Sequence, residues 1–124
     1  MNIAARVVVA GLLFVLVFLS GIWLSRTGRP LNVGISTAHK LISLAAGVFL
    51  LVTIYHRNKM VPLSASEWTV IVVTGLCFLG TVASGGFLSS DNPMPVAVLR
   101  VHQVLPVLAA LSSGLTLYLV LGGI

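Results

Sequence analysis

"SGIWLS", Ser20–Ser25, and "SGGFLS", Ser84–Ser89, are near copies set sixty-four positions apart in one short chain. At the same offset "GLLF", Gly11–Phe14, lies over "GLCF", Gly75–Phe78, so the match runs through most of two long apolar stretches. Shifting the offset by one aligns another pair of stretches. His39 then lies over His102, Ala46 over Ala109, Thr53 over Thr116 and Tyr55 over Tyr118. Self-similarity at a fixed period marks a repeated structural unit. Here the unit reads as a two-helix hairpin, about residues 4–56 and again 66–121, within a single domain 1–124.

The composition says where such hairpins belong. Of the 124 residues 58% are hydrophobic and only 7% charged, too apolar for a soluble domain of this size. Four stretches, 4–25, 36–55, 66–88 and 96–121, each meet the roughly 20 residues needed to span a bilayer as a helix. The connections, 26–35, 56–65 and 89–95, collect Gly, Pro, Asn and charge and read as short water-facing turns. The expected fold is an all-α, four-transmembrane-helix bundle built from two tandem helical hairpins. The first stretch is not read as a signal peptide: it is too long for an h-region, lacks a small-x-small cleavage site, and has a mid-chain counterpart.

The formal net charge of +5 comes from basic residues at helix ends, where interfacial anchoring and anionic lipid account for them and nucleic acid does not. One face carries Arg6, Arg57 and Lys59, the other Arg26, Arg29, Lys40 and Arg100, so charge leaves the orientation open. Cys77 is the only cysteine, which excludes an internal disulfide and a cysteine-based metal cluster. No acidic residue falls within a helix core, and there is no phosphate-binding glycine loop and no nucleophile with a general base. Ser64-x-x-Glu67 reads as a capping box for the third helix. Tyr55, Tyr118, Trp23 and Trp68 fall near helix ends and read as an aromatic belt, and His56 as interfacial. Pro106 is expected to bend the fourth helix.

Each repeat crosses the membrane twice, so both copies share one orientation. His39 and His102 are therefore expected at one depth, with Ser20-Gly21 and Ser84-Gly85-Gly86 near the same layer. An ionisable group within a membrane helix is costly and is a functional candidate by default. At about 100° per residue, Ser43, Ala46, Leu50 and Thr53 share the face of His39, and Pro106, Ala109, Ser113 and Thr116 that of His102. Those faces are small enough to admit a flat ligand or a close-packed helix.

Haem b suits the combination: an imidazole for each side of the iron, a slot without bulky side chains, and cations for the propionates. His39 and His102 would be the axial ligands, and Lys40 and Arg100 the propionate partners. Ala46 and Ala109 would line the slot, and the Ser20-Gly21 and Ser84-Gly85 notches would take the haem edge, closed toward the surface by Trp23 or Phe87. Zinc is disfavoured, because two histidines leave half of a tetrahedral shell unsupplied.

On these residues the chain resembles the four-helix core of the membrane b-type cytochromes, the cytochrome b and cytochrome b561 type. That core has two histidines on each of its second and fourth helices, four turns apart. His39 and His102 match one pair, while Thr53 and Thr116 stand where the second pair would be, so the resemblance implies one haem, not two. The chain is also similar to small four-helix membrane proteins of bacteria and archaea with second helices like "HKLISLAA", His39–Ala46. The implied function is electron transfer by a carrier or redox subunit, rather than by a stand-alone enzyme. Its setting would be a prokaryotic cytoplasmic membrane. Its partners would be lipid and a quinone or redox subunit, and an oligomer is compatible. The competing reading is a cofactor-free bundle, an assembly subunit or small transporter, whose histidines hydrogen-bond between helices.

Overall fold

The computed structural model describes residues 2–28, 31–90 and 92–122. They form four helices, α1 (Ile3–Arg26), α2 (Val33–Met60), α3 (Ala65–Leu88) and α4 (Val96–Val120), and no strand occurs among the described residues. All four are long and apolar enough to cross a membrane. The chain is an all-α integral membrane protein, as its composition predicts. Helix α1 packs on α2 and α3 on α4, giving two compact units, Met1–Met60 and Val61–Ile124, one hairpin each.

Local chemistry sets the helix ends. The side chains of Asn2, Asn32 and Ser64 accept the amides of Ala5 (2.7 Å), Ile35 (3.0 Å) and Glu67 (3.3 Å), each satisfying a first-turn donor that has no helical partner. Helices α1 and α4 are followed by Gly28 and Gly122 at φ 72° and 85°, the left-handed conformation that closes a helix and that glycine adopts without strain. The capping box at α3 is half formed. Ser64 caps, but no hydrogen bond engages the Glu67 carboxylate, and its Oε2 is buried without a partner.

Helix α2 runs five residues past the expected end at Tyr55. Hydropathy falls at His56, which ends the apolar stretch but not the helix. Arg57 and Lys59 lie in the last turn, where cations complement the helix dipole, and the helix stops before Val61-Pro62 because the residue ahead of a proline is pushed out of the helical region. Helix α4 passes through Pro106 as a single element.

The core is made of small residues. Ala46, Leu50 and Thr53 are 2%, 5% and 2% exposed, and Ala109, Ser113 and Thr116 are 2%, 0% and 1% exposed. These lie on the two faces expected to hold a flat cofactor, and they are the buried faces of α2 and α4. Small side chains there suit membrane helices, which associate by close packing rather than by the hydrophobic effect. Long aliphatic residues such as Leu12, Leu44, Leu79 and Leu111 are turned outward. Trp23 and Phe87 are also exposed.

Candidate functional site

The two copies of Ser-Gly each meet the histidine of their own hairpin. Ser20 Oγ lies 2.9 Å from His39 Nδ1, and Ser84 Oγ lies 3.0 Å from His102 Nδ1. The glycine that follows leaves room for the ring. A Cβ added at Gly21 would stand 3.0 Å from His39 Cε1, and one at Gly85 would stand 2.9 Å from His102 Cε1. The notch thus seats the imidazole of the neighbouring helix.

The hydrogen-bond network assigns the ring proton of His102. The Thr81 carbonyl can only accept, and it lies 3.0 Å from His102 Nδ1, so that nitrogen carries the hydrogen. Ser84 donates its own hydroxyl hydrogen to the same carbonyl at 3.0 Å, which leaves its oxygen to accept from Nδ1. In the first hairpin Ser20 Oγ lies 3.0 Å from the Val17 carbonyl and 2.9 Å from His39 Nδ1, the same serine geometry without a carbonyl on the ring nitrogen. In the neutral ring of His102 the lone pair therefore sits on Nε2. An imidazole fixed at Nδ1–H by an oxygen acceptor is the form in which histidine ligates a metal through Nε2.

The structure sorts the remaining sequence-predicted residues. It brings Ser20 and Gly21 to His39, and Ser84 and Gly85 to His102. Ala46 and Ala109 lie two turns further along α2 and α4, fully buried. Lys40 follows His39 in α2 and is exposed. Arg100 falls about 160° around α4 from His102 at about 100° per residue. It is exposed, and its guanidinium donates to Gln103 at 3.4 Å. No group of three or more His, Cys, Asp or Glu able to hold a metal occurs among the described residues.

Positions fourteen residues beyond the histidines are polar and also reach the neighbouring helix. Thr116 Oγ1 lies 3.1 Å from Thr74 Oγ1 and donates to the Ser112 carbonyl at 2.8 Å. Thr53 accepts from the Arg6 guanidinium at 2.9 Å. Arg6 was read as an interfacial cation, and this reach into the hairpin was missed. The signal was present: stepping fourteen residues back from Ser20 and forward from His39 arrives at Arg6 and Thr53, one antiparallel register. Tyr55, His56 and Lys59 cluster at the end of α2, with the His56 ring edge-on to Tyr55 at 5.8 Å and Lys59 Nζ 4.9 Å above the Tyr55 ring.

No protein-family model matches the chain, and neither a curated protein nor a solved structure is significantly similar to it.

Proposed function

We propose that this chain is a membrane electron-transfer protein that carries one haem b, ligated by Nε2 of His39 and of His102. One observation carries the reading. The same Ser–His pair is built twice, and in the second the Thr81 carbonyl holds the proton on Nδ1 and leaves Nε2 as the basic nitrogen. The donor set fits a low-spin bis-imidazole centre, and a haem so held supplies one-electron chemistry at its iron. The chain's own residues do the tuning. Ser20 and Ser84 fix each ring's rotation, and acceptance of the Nδ1 proton by the Thr81 carbonyl makes His102 a stronger electron donor. In keeping with the resemblance to small prokaryotic four-helix proteins, the setting is a prokaryotic cytoplasmic membrane. The redox partner is a quinol or a partner subunit.

Protein expressed with haem precursor is expected to purify red, with a reduced-minus-oxidised spectrum of low-spin haem that disappears in His39→Ala and in His102→Ala. Ser84→Ala should keep the haem and shift its potential. Folded protein that stays colourless after haem supplementation would falsify the assignment.

A second reading is favoured by the burial of Ala46, Ala109 and Ser113 on the histidine faces. There the bundle holds no cofactor, and each Ser–His bond is simply an interhelical tie in an assembly subunit or small transporter. Under that reading His39→Asn and His102→Asn lower helix-pair stability with no optical change.

A further inference from the structure

The two hairpins share a plan but differ sharply in charge. Residues 1–60 contain six of the seven basic residues and neither acidic one; residues 61–124 contain one basic residue and both acidic ones. Among the described ones, Arg26, Arg57 and Lys59 lie in the last turn of a helix and Lys40 is exposed. Arg6 is the exception. It is half-buried in α1, and its guanidinium is aimed at Thr53, which is 2% exposed.

The polar account at this point does not close. A guanidinium has five N–H donors in a planar fork. Thr53 Oγ1 takes one of them, and no other acceptor for the rest occurs among the described residues. Thr53's own hydroxyl hydrogen is donated to no described residue either. The corresponding Thr116 is satisfied within its hairpin, donating to Ser112 and facing the hydroxyl of Thr74. Where the second hairpin closes its threonine with a neutral partner, the first sets a full positive charge and an unused hydroxyl side by side, with no carboxylate anywhere in its sixty residues.

Donors grouped around a positive charge suit an anionic oxygen, and the guanidinium fork matches phosphate geometry. Depth agrees. Arg6 is the fourth residue of α1, about 5 Å from its start, and Thr53 is about 10 Å from the end of α2 at about 1.5 Å per residue. Against a hydrocarbon core about 30 Å thick, those distances from the helix ends suit the boundary between headgroups and acyl chains. Arg57 and Lys59, in the last turn of the same helix, add positive potential at that surface. We propose that Arg6 and Thr53 form a binding site for a phosphate-type oxyanion, with Arg6 supplying charge and fork and Thr53 donating its hydroxyl hydrogen. The phosphate of an anionic phospholipid and free inorganic phosphate are the two sources of that chemistry. The site is independent of the haem assignment.

The test uses the full chain purified in detergent, as wild type, Arg6→Gln, Arg6→Lys, Thr53→Val and, as a charge control, Arg100→Gln. Native mass spectrometry during titration with phosphatidylglycerol, phosphatidic acid and phosphatidylcholine reads the lipid arm, and calorimetry with inorganic phosphate reads the free-ion arm. Circular dichroism checks that each variant is folded. The site predicts one tightly held anionic lipid, or saturable phosphate binding, weakened at least tenfold in Arg6→Gln and several-fold in Thr53→Val. Arg6→Lys, which keeps the charge but loses the fork, should be intermediate, and Arg100→Gln unchanged. Lipid retention points to a headgroup, and phosphate binding alone to the free ion. Equal weakening by Arg6→Gln and Arg100→Gln, or wild-type binding by Arg6→Gln in both arms, overturns the proposal.

Discussion

A serine hydroxyl between a backbone carbonyl and an imidazole does two things at once, because it satisfies its own helix and holds the ring of the neighbouring one. In lipid such an interhelical bond contributes about 0.6 kcal/mol on average and at most about 1.7 kcal/mol. Ser20→Ala and Ser84→Ala are therefore expected to lower the unfolding free energy of the protein in mixed micelles by amounts within that range. The glycines should cost more to replace. A Cβ at Gly85 would stand 2.9 Å from His102 Cε1, closer than side chains tolerate, and the ring is tethered at Nδ1 by Ser84 and Thr81. Gly85→Ala is expected to cost about 1–3 kcal/mol, the usual range for overpacking. A loss below about 0.5 kcal/mol in the same unfolding measurement would show that the ring can move aside. The sequence placed Ser20 and His39 at one depth, yet it could not say what filled the notch. Depth follows from counting residues along two antiparallel helices, whereas contact also needs each helix's rotation about its axis, which only packing decides.

At the scale of the helix, hydropathy located all four elements and blurred one boundary. The turn His56–Met60 is polar and still helical, because the bilayer and the helix end for different reasons: one responds to transfer energy, the other to Pro62 and the capping of backbone groups. Polar residues inside the helices were legible as positions but not as partners. Thr116 and Thr74 bond to each other, Thr53 bonds to Arg6, and the buried Ser113 hydroxyl has no hydrogen-bond partner among the described residues. Leaving a buried hydroxyl unpaired costs about 1–3 kcal/mol. Ser113→Ala is accordingly expected to leave stability unchanged or raise it by up to about 1 kcal/mol, whereas Thr116→Val should lower it by removing the Thr116–Thr74 tie between the helices, Thr74 keeping its bond to the Val70 carbonyl. Unfolding midpoints of the two variants in one detergent separate these cases, and a destabilised Ser113→Ala would mean that the hydroxyl has a partner the hairpin itself does not supply.

For the whole molecule, the duplication carries a topological consequence. If every helix crosses the membrane, Thr27 and Asn92 are expected at one face and Val61 at the other. In a Cys77→Ser background, Thr27→Cys and Asn92→Cys should react with a membrane-impermeant maleimide from the same side of sealed vesicles, and Val61→Cys only from the opposite side. Labelling of Thr27→Cys and Asn92→Cys from opposite sides would disprove the parallel repeat. This architecture was readable because period and hydropathy agree over nearly the whole chain. Arg6 was not, since a cation one turn inside a helix has the same sequence signature whether it reaches outward to headgroups or inward to Thr53.

Helix α2 has 28 residues and is about 42 Å long, against about 36 Å for α1, at about 1.5 Å per residue. Its surplus lies at one end, where Tyr55, Arg57 and Lys59 cannot sink into hydrocarbon, so the first hairpin is moored at that face like a pile with a collar. Any change in bilayer thickness must then be taken up at the other end, near His39. Thickness becomes a control on how wet that imidazole is. Carbethoxylation of His39, mapped by mass spectrometry, should be faster in vesicles of short-chain lipids than in those of long-chain lipids, and a rate indifferent to acyl length would mean the hairpin is moored elsewhere.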